Sequence, residues 1–187
     1  MFFFRMSQIQ KFAMAWLALL AFCRAAEISN NADLWQAIHR DDRAQVEALV
    51  KEGNDLNKAS DVLGGGPLHW ARGEEMVALL LKLGADPLRN DAQNITPLME
   101  AARNANTGGA RLLLNRGLNI NAKDNNGRTA LYYSAGNLNP DFADFLLEKG
   151  ATIDAQDSSG TTVLMRAVIE PDVPLVKLLL KRGAKRT

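Results

Sequence analysis

Gly66-Pro67-Leu68-His69-Trp70-Ala71 is followed 30 residues later by Thr96-Pro97-Leu98-Met99-Glu100-Ala101. Two further steps of 33 lead to Thr129-Ala130-Leu131-Tyr132-Tyr133-Ser134 and Thr162-Val163-Leu164-Met165-Arg166-Ala167. A second marker keeps the same period: Gly53, Gly84, Gly117, Gly150 and Gly183 are separated by 31, 33, 33 and 33 residues. Two markers in one register imply stacked supersecondary units, none able to bury its apolar side alone.

Each unit reads the same way. Asp124-Asn125-Asn126-Gly127 and Asp157-Ser158-Ser159-Gly160 carry turn chemistry, with Gly free to take positive φ. Thr129 and Thr162 then stand where a helix wants its N-cap. Pro67 and Pro97 occupy the first helical position, where a missing N–H costs nothing. The runs Leu79-Leu80-Leu81, Leu112-Leu113-Leu114, Phe145-Leu146-Leu147 and Leu178-Leu179-Leu180 mark a second, more apolar helix. That helix ends at the closing glycine.

Taken with Gly84-Ala85-Asp86, Gly117-Leu118-Asn119-Ile120-Asn121 and Gly150-Ala151-Thr152-Ile153-Asp154, these residues resemble the ankyrin family over roughly residues 30 to 187. The resemblance implies a mainly α solenoid of about five helix-pair units with short β-hairpin fingers. Its units fall at about 30–60, 61–90, 91–123, 124–156 and 157–187, inside a repeat domain of 26–187. The first unit begins directly at its helix, Ala32-Asp33-Leu34-Trp35-Gln36-Ala37, and the last stops just past Gly183. Both ends read as caps, because terminal repeats must face water. The second unit is three residues short between Ala71 and Met76, so its inter-helix turn must be tighter. Asn94 takes the place of the finger glycine.

The resemblance also implies a concave face of finger tips and first helices that binds another protein. In this register the residue after the His69 position points toward that face, giving Gln36, Trp70, Glu100, Tyr133 and Arg166. Trp, Tyr and Arg are the types enriched at interface hot spots. Finger positions Leu63, Ile95 and Arg128 extend the surface, and Val62, Leu63 and Ile95 are apolar where turns are usually polar. Trp70 and Tyr133 are the expected anchors; the competing reading is that they pack over neighbouring units.

Catalytic chemistry finds no foothold. His39 and His69 are the two histidines, and neither stands at metal-ligand spacing from a partner. His69 reads as a local hydrogen-bonding residue across the finger. Gly64-Gly65-Gly66 lacks the Lys-Ser/Thr of a phosphate loop. The expectation is therefore a protein that is not an enzyme, with no cofactor and no metal.

The N-terminus is a different kind of sequence. Arg5 and Lys11 precede the unbroken apolar run 12–22, eleven residues long, and small residues follow at Ala25 and Ala26. This is the layout of a secretory signal over residues 1–25. Crossing the ~30 Å hydrocarbon core needs about 20 residues, which disfavours the rival reading, an uncleaved anchor. Cys23, the single cysteine, follows Leu20-Ala21-Phe22. Lipidation there competes with simple cleavage, although Phe22 is bulky for a lipoprotein box. Removing residues 1–25 takes away Arg5, Lys11 and Arg24, leaving 19 basic against 21 acidic side chains. Such a balance disfavours nucleic acid as a partner. Lys181, Arg182, Lys185 and Arg186 cluster at the C-terminal end and read as a solvated cap. The export layout and the ankyrin resemblance together imply an exported protein-binding module, periplasmic or alternatively secreted, serving as accessory or inhibitor (an immunity protein) of a partner enzyme or toxin. The alternative is a membrane-tethered lipoprotein scaffold without an enzyme partner, so membrane contact enters only through the signal or Cys23.

Overall fold

The computed structural model describes residues 32–58, 63–136 and 139–186. The signal segment 1–25, Cys23 and Val62 lie outside these. Helices come in antiparallel pairs, one pair per sequence unit. They are α1 (32–39) with α2 (Arg43–Lys51), α3 (Pro67–Trp70) with α4 (Glu74–Lys82), and α5 (Pro97–Arg103) with α6 (Thr107–Asn115). The stack continues with α7 (Ala130–Ser134) and α8 (Pro140–Glu148), then α9 (Val163–Ile169) and α10 (Val173–Lys181). The mainly helical solenoid expected from the repeat is the observed architecture.

Capping explains why such short helices form where they do. Thr96, Thr129 and Thr162 accept from the backbone N–H of Met99, Tyr132 and Met165 at 3.2, 3.4 and 3.3 Å. The second helices have their own periodic cap: Asn106, Asn139 and Asp172, spaced by 33, accept from Gly109, Phe142 and Leu175. At the other end the five closing glycines all adopt φ between 88° and 100°, a region costly for a side chain with a Cβ.

The apolar core runs continuously from Leu34 to Ala184. Leu80, Leu113, Leu146 and Leu179, one per second helix, are each fully buried. Asn57 and Asn121 bridge units: each side chain donates to a closing-glycine carbonyl of the next unit, Gly84 or Gly150, and accepts from the backbone N–H of Asp86 or Thr152.

The fingers are more economical than hairpins. Each is one turn closed by two backbone bonds: the Asp91, Asp124 and Asp157 amides donate to the carbonyls of Ile95, Arg128 and Thr161 at 3.0–3.1 Å, and the Asn94, Gly127 and Gly160 amides donate back to those aspartates' carbonyls at 2.9–3.0 Å. Among the described residues one isolated antiparallel bridge, Gln156 with Thr162, remains of the expected strands. Pairing capacity is spent between units instead. The amides of Ala92, Asn125 and Ser158 donate to the carbonyls of Leu63, Gln93 and Asn126, linking each finger to the one before. Asn94 takes φ 61°, matching Gly127 at 75° and Gly160 at 79°. It therefore fills the glycine position by adopting the left-handed conformation that Asn tolerates best among residues with a side chain.

At the C-terminal end Lys181, Arg182, Lys185 and Arg186 are exposed, and apolar side chains are exposed with them. Val168 and Ile169 are 61% and 76% exposed, and Val173 is 56% exposed.

Candidate protein-binding face

The turn Asp124–Arg128 is organised by one carboxylate. Asp124 is buried, and its Oδ1 accepts the N–H groups of Asn126 and Arg128, both at 2.8 Å. Its Oδ2 accepts the Tyr133 hydroxyl at 2.6 Å. Asp157 repeats the turn with Ser159 and Thr161 at 2.9 Å. Recurrence at one register position shows these carboxylates as turn-formers.

Around them lies a cluster of guanidinium groups and tyrosine rings. Arg103 sits 4.8 Å from the Tyr133 ring centroid, while Arg128 and Arg166 stand 5.4 and 4.9 Å from that of Tyr132. The two tyrosines meet edge to face at 6.4 Å. Glu100 pairs with Arg103 at 3.0 Å and Glu170 with Arg166 at 2.9 Å. The strip spans the first helices α5, α7 and α9, one unit apart from each other. Burial is the largest influence raising the Tyr133 phenol above its ordinary range, and the Asp124 hydrogen bond and charge add to it. Burial opposes the Arg128 charge, but the Tyr133 hydroxyl and the Tyr132 and Asp124 fields outweigh it and hold the guanidinium above its usual value.

The structure separates the expected face residues into three groups. Gln36 is exposed, and Leu63 is 48% exposed on its finger turn. Glu100, Arg128, Tyr133 and Arg166 are half-buried, engaged in the Arg–Tyr strip. Trp70 and Ile95 are covered, at 5% and 7% exposure, and belong to the core. The expectation that Trp70 presents its ring to a partner is thereby corrected. Trp70 is the last residue of α3, and burying its large apolar ring in the core is worth more than exposing it to solvent. The Ile95 N–H makes to Asp91 Oδ1 the turn bond that Arg128 and Thr161 make to Asp124 and Asp157, but its apolar side chain packs into the core, and its C=O accepts from His69 Nε2 at 3.0 Å. His69 Nδ1 accepts the Gly66 N–H at 3.1 Å, which fixes the tautomer with the proton on Nε2. The histidine makes the local contact expected of it through Gly66 and, beyond that expectation, bridges to the next finger through Ile95.

Two features escaped the sequence reading. Arg103 covers Tyr133 from the preceding unit, and its place at the last turn of α5 carried no repeat signal. Trp35, 40% exposed, stacks on His39 at 4.4 Å, and His39 meets Arg72 at 3.2 Å. Among the described residues, no three His, Cys, Asp or Glu side chains converge to hold a metal ion.

A family model described as Ankyrin repeats (3 copies) matches residues 34–124 and again 98–187. Together these matches span nearly all of the helical stack, and the chain belongs to the ankyrin-repeat family. Ankyrin repeats are protein-interaction modules and are generally not catalytic. Among curated proteins, the chain is similar to the 2-5A-dependent ribonuclease of Mus musculus, 34% identical over 77 residues. It is also similar to the 2-5A-dependent ribonuclease of Homo sapiens, 34% identical over 82 residues. The aligned parts cover 40% and 42% of this chain but only 10% and 11% of those proteins. The similarity thus spans about a tenth of the length of these relatives.

Proposed function

We propose that this protein is an exported binding module that docks another protein on its concave face, formed by the first helices and finger turns. In this reading it acts as accessory or inhibitor of a partner enzyme or toxin in the periplasm and performs no chemistry itself. The observation that carries the reading is the Arg–Tyr strip of Arg103, Arg128, Arg166, Tyr132 and Tyr133. Arginine and tyrosine are prime hot-spot residues. Stacking and ion pairing fix their rotamers before contact, which lowers the ordering cost of binding. Leu63, exposed on a neighbouring finger turn, adds apolar area. Trp70 has no part in the contact, and Tyr133 acts as the platform that holds Arg103.

Export rests on the run 12–22 and its flanks. Tethering through a lipidated Cys23 is the competing arrangement, and the mass of the mature N-terminus separates the two: acyl-Cys23 against free Ala26.

The experiment is affinity capture from the native compartment with wild type and Arg103→Glu, whose side chain is 53% exposed. Loss of a true hot spot weakens binding by at least about 2 kcal/mol, roughly thirtyfold. A specifically retained protein that Arg103→Glu no longer holds, with an unchanged melting temperature, supports the reading. Equal retention by both overturns the placement on this face. Full-length protein in the cytosol overturns export.

A further inference from the structure

The last unit carries a second surface, separate from the Arg–Tyr strip. Between α9 and α10, on the side that in inner units is covered by the following unit, lies an open groove of about 530 Å³. Leu164, Met165, Val168, Ile169, Val176 and Leu180 line it. Positions 33 residues earlier show what this side does inside the stack. Tyr132, Ala135 and Ala143 are at most 7% exposed. Their counterparts Met165, Val168 and Val176 are open or half-open, and the two small residues among them have grown, Ala135 to Val168 and Ala143 to Val176; the exposed Gly136 is likewise replaced by Ile169. The groove is lined almost wholly by apolar side chains, several of them exposed, and exposed apolar patches of this kind mark interaction sites.

Charge selects the occupant. Arg186 borders the groove. On α10 Val173, Val176 and Leu180 fall on one helix face, the last two lining the groove, and Lys177 and Lys181 are exposed on the same helix. Lys185 is also exposed at this end. Among the described residues none of these four cations makes an ion pair, whereas Arg182 is taken by Asp144 and Glu148 of α8. The acidic residue beside Ile169, Glu170, is engaged by Arg166. Two copies meeting through this face would bring two cationic rims together, which costs energy. A partner helix with an apolar stripe and acidic flanks satisfies both the groove and the rim.

We propose that the C-terminal groove is a docking site for an acidic amphipathic helix of a partner protein. The surface works independently of the strip on α5, α7 and α9.

Panning a display library of random 16-residue peptides against the full-length protein tests this without choosing the ligand. The expected result is enrichment of sequences with apolar residues at i, i+3, i+4 and i+7 and Asp or Glu between them. One enriched peptide, measured by fluorescence anisotropy, binds Val168→Asp/Ile169→Asp and Lys177→Glu/Arg186→Glu at least tenfold more weakly than wild type, and binds Arg103→Glu normally. All substituted side chains at 168 and 169 are exposed, so melting temperatures stay unchanged and confirm intact folds. Enrichment of basic or uncharged peptides, no enrichment, or equal binding to the groove variants overturns the proposal. A wild-type dimer that Val168→Asp/Ile169→Asp converts to monomer in sedimentation also overturns it, since a second copy would then be the occupant.

Discussion

The Tyr133 hydroxyl donates a 2.6 Å hydrogen bond to Asp124 Oδ2, locking a first helix onto the turn that leads into it. Because Asp124 is 5% exposed and its other oxygen already accepts two backbone N–H groups, the phenol is what satisfies Oδ2. Tyr133→Phe removes that donor with little change in shape. The expected cost is about 1–3 kcal/mol, the penalty for leaving a buried acceptor without its partner. Urea denaturation at pH 7 checks it, and a change inside about 0.5 kcal/mol, the surface range, contradicts the role.

The same contact sets an alkaline dependence. Burial and the Asp124 carboxylate raise the Tyr133 phenol above its ordinary value, near 10 in model peptides. The fold therefore favours the protonated form. This contribution is complete below about pH 10 and is lost as pH rises through the folded value. The stability gap between wild type and Tyr133→Phe is expected to narrow above pH 10 in the same denaturation series. A gap constant to pH 11.5 would rule the linkage out.

Asp157 gives the opposite sign. Burial pushes its carboxyl up, but the Thr161 and Ser159 amides, the Tyr132 hydroxyl and the Arg128 charge outweigh it and leave the group below its ordinary value. Its stabilising share is present above about pH 3.9, the unperturbed value, and disappears as pH falls through the folded value. Asp157→Asn should be less stable than wild type at pH 7 and indistinguishable from it in strong acid. Thermal melts across pH 2–7 read the convergence.

Leu113 and Leu146 are each 0% exposed in the second helices of the central units. Truncating either to Ala costs about 2–5 kcal/mol through lost burial and the cavity left behind. Trp70→Ala belongs in the same experiment, with about 3–5 kcal/mol expected for a buried aromatic. If Trp70→Ala melts like wild type, the indole is not packed as described.

Much of this protein is local grammar repeated, and that part was readable from the chain. A threonine cap, a proline at the first helical turn and a glycine at φ near 90° act within a few residues, so their identities alone place the helix ends. The period of 33 then dictates stacking, and the leucine runs dictate the buried side. The local bond of His69 to Gly66 followed from its repeat position, while its second bond, to Ile95 of the next finger, needed the stacked structure.

The exposure of the variable positions is set elsewhere. Trp70 and Tyr133 share one register position, yet the first is enclosed and the second is half-open. The Trp70 ring packs into the apolar core, while the Tyr133 ring lies under Arg103 of the preceding unit with its hydroxyl on Asp124. The last unit makes the same point in reverse. Val168 and Val176 occupy positions that inner units bury, and they stand open because no described residue packs beyond them. The sequence by itself determined the repeat, its caps and its core, all of which are interactions within one unit or between identical neighbours. Only the tertiary structure decided which side chains meet solvent, because burial belongs to the surfaces that two different units bring together.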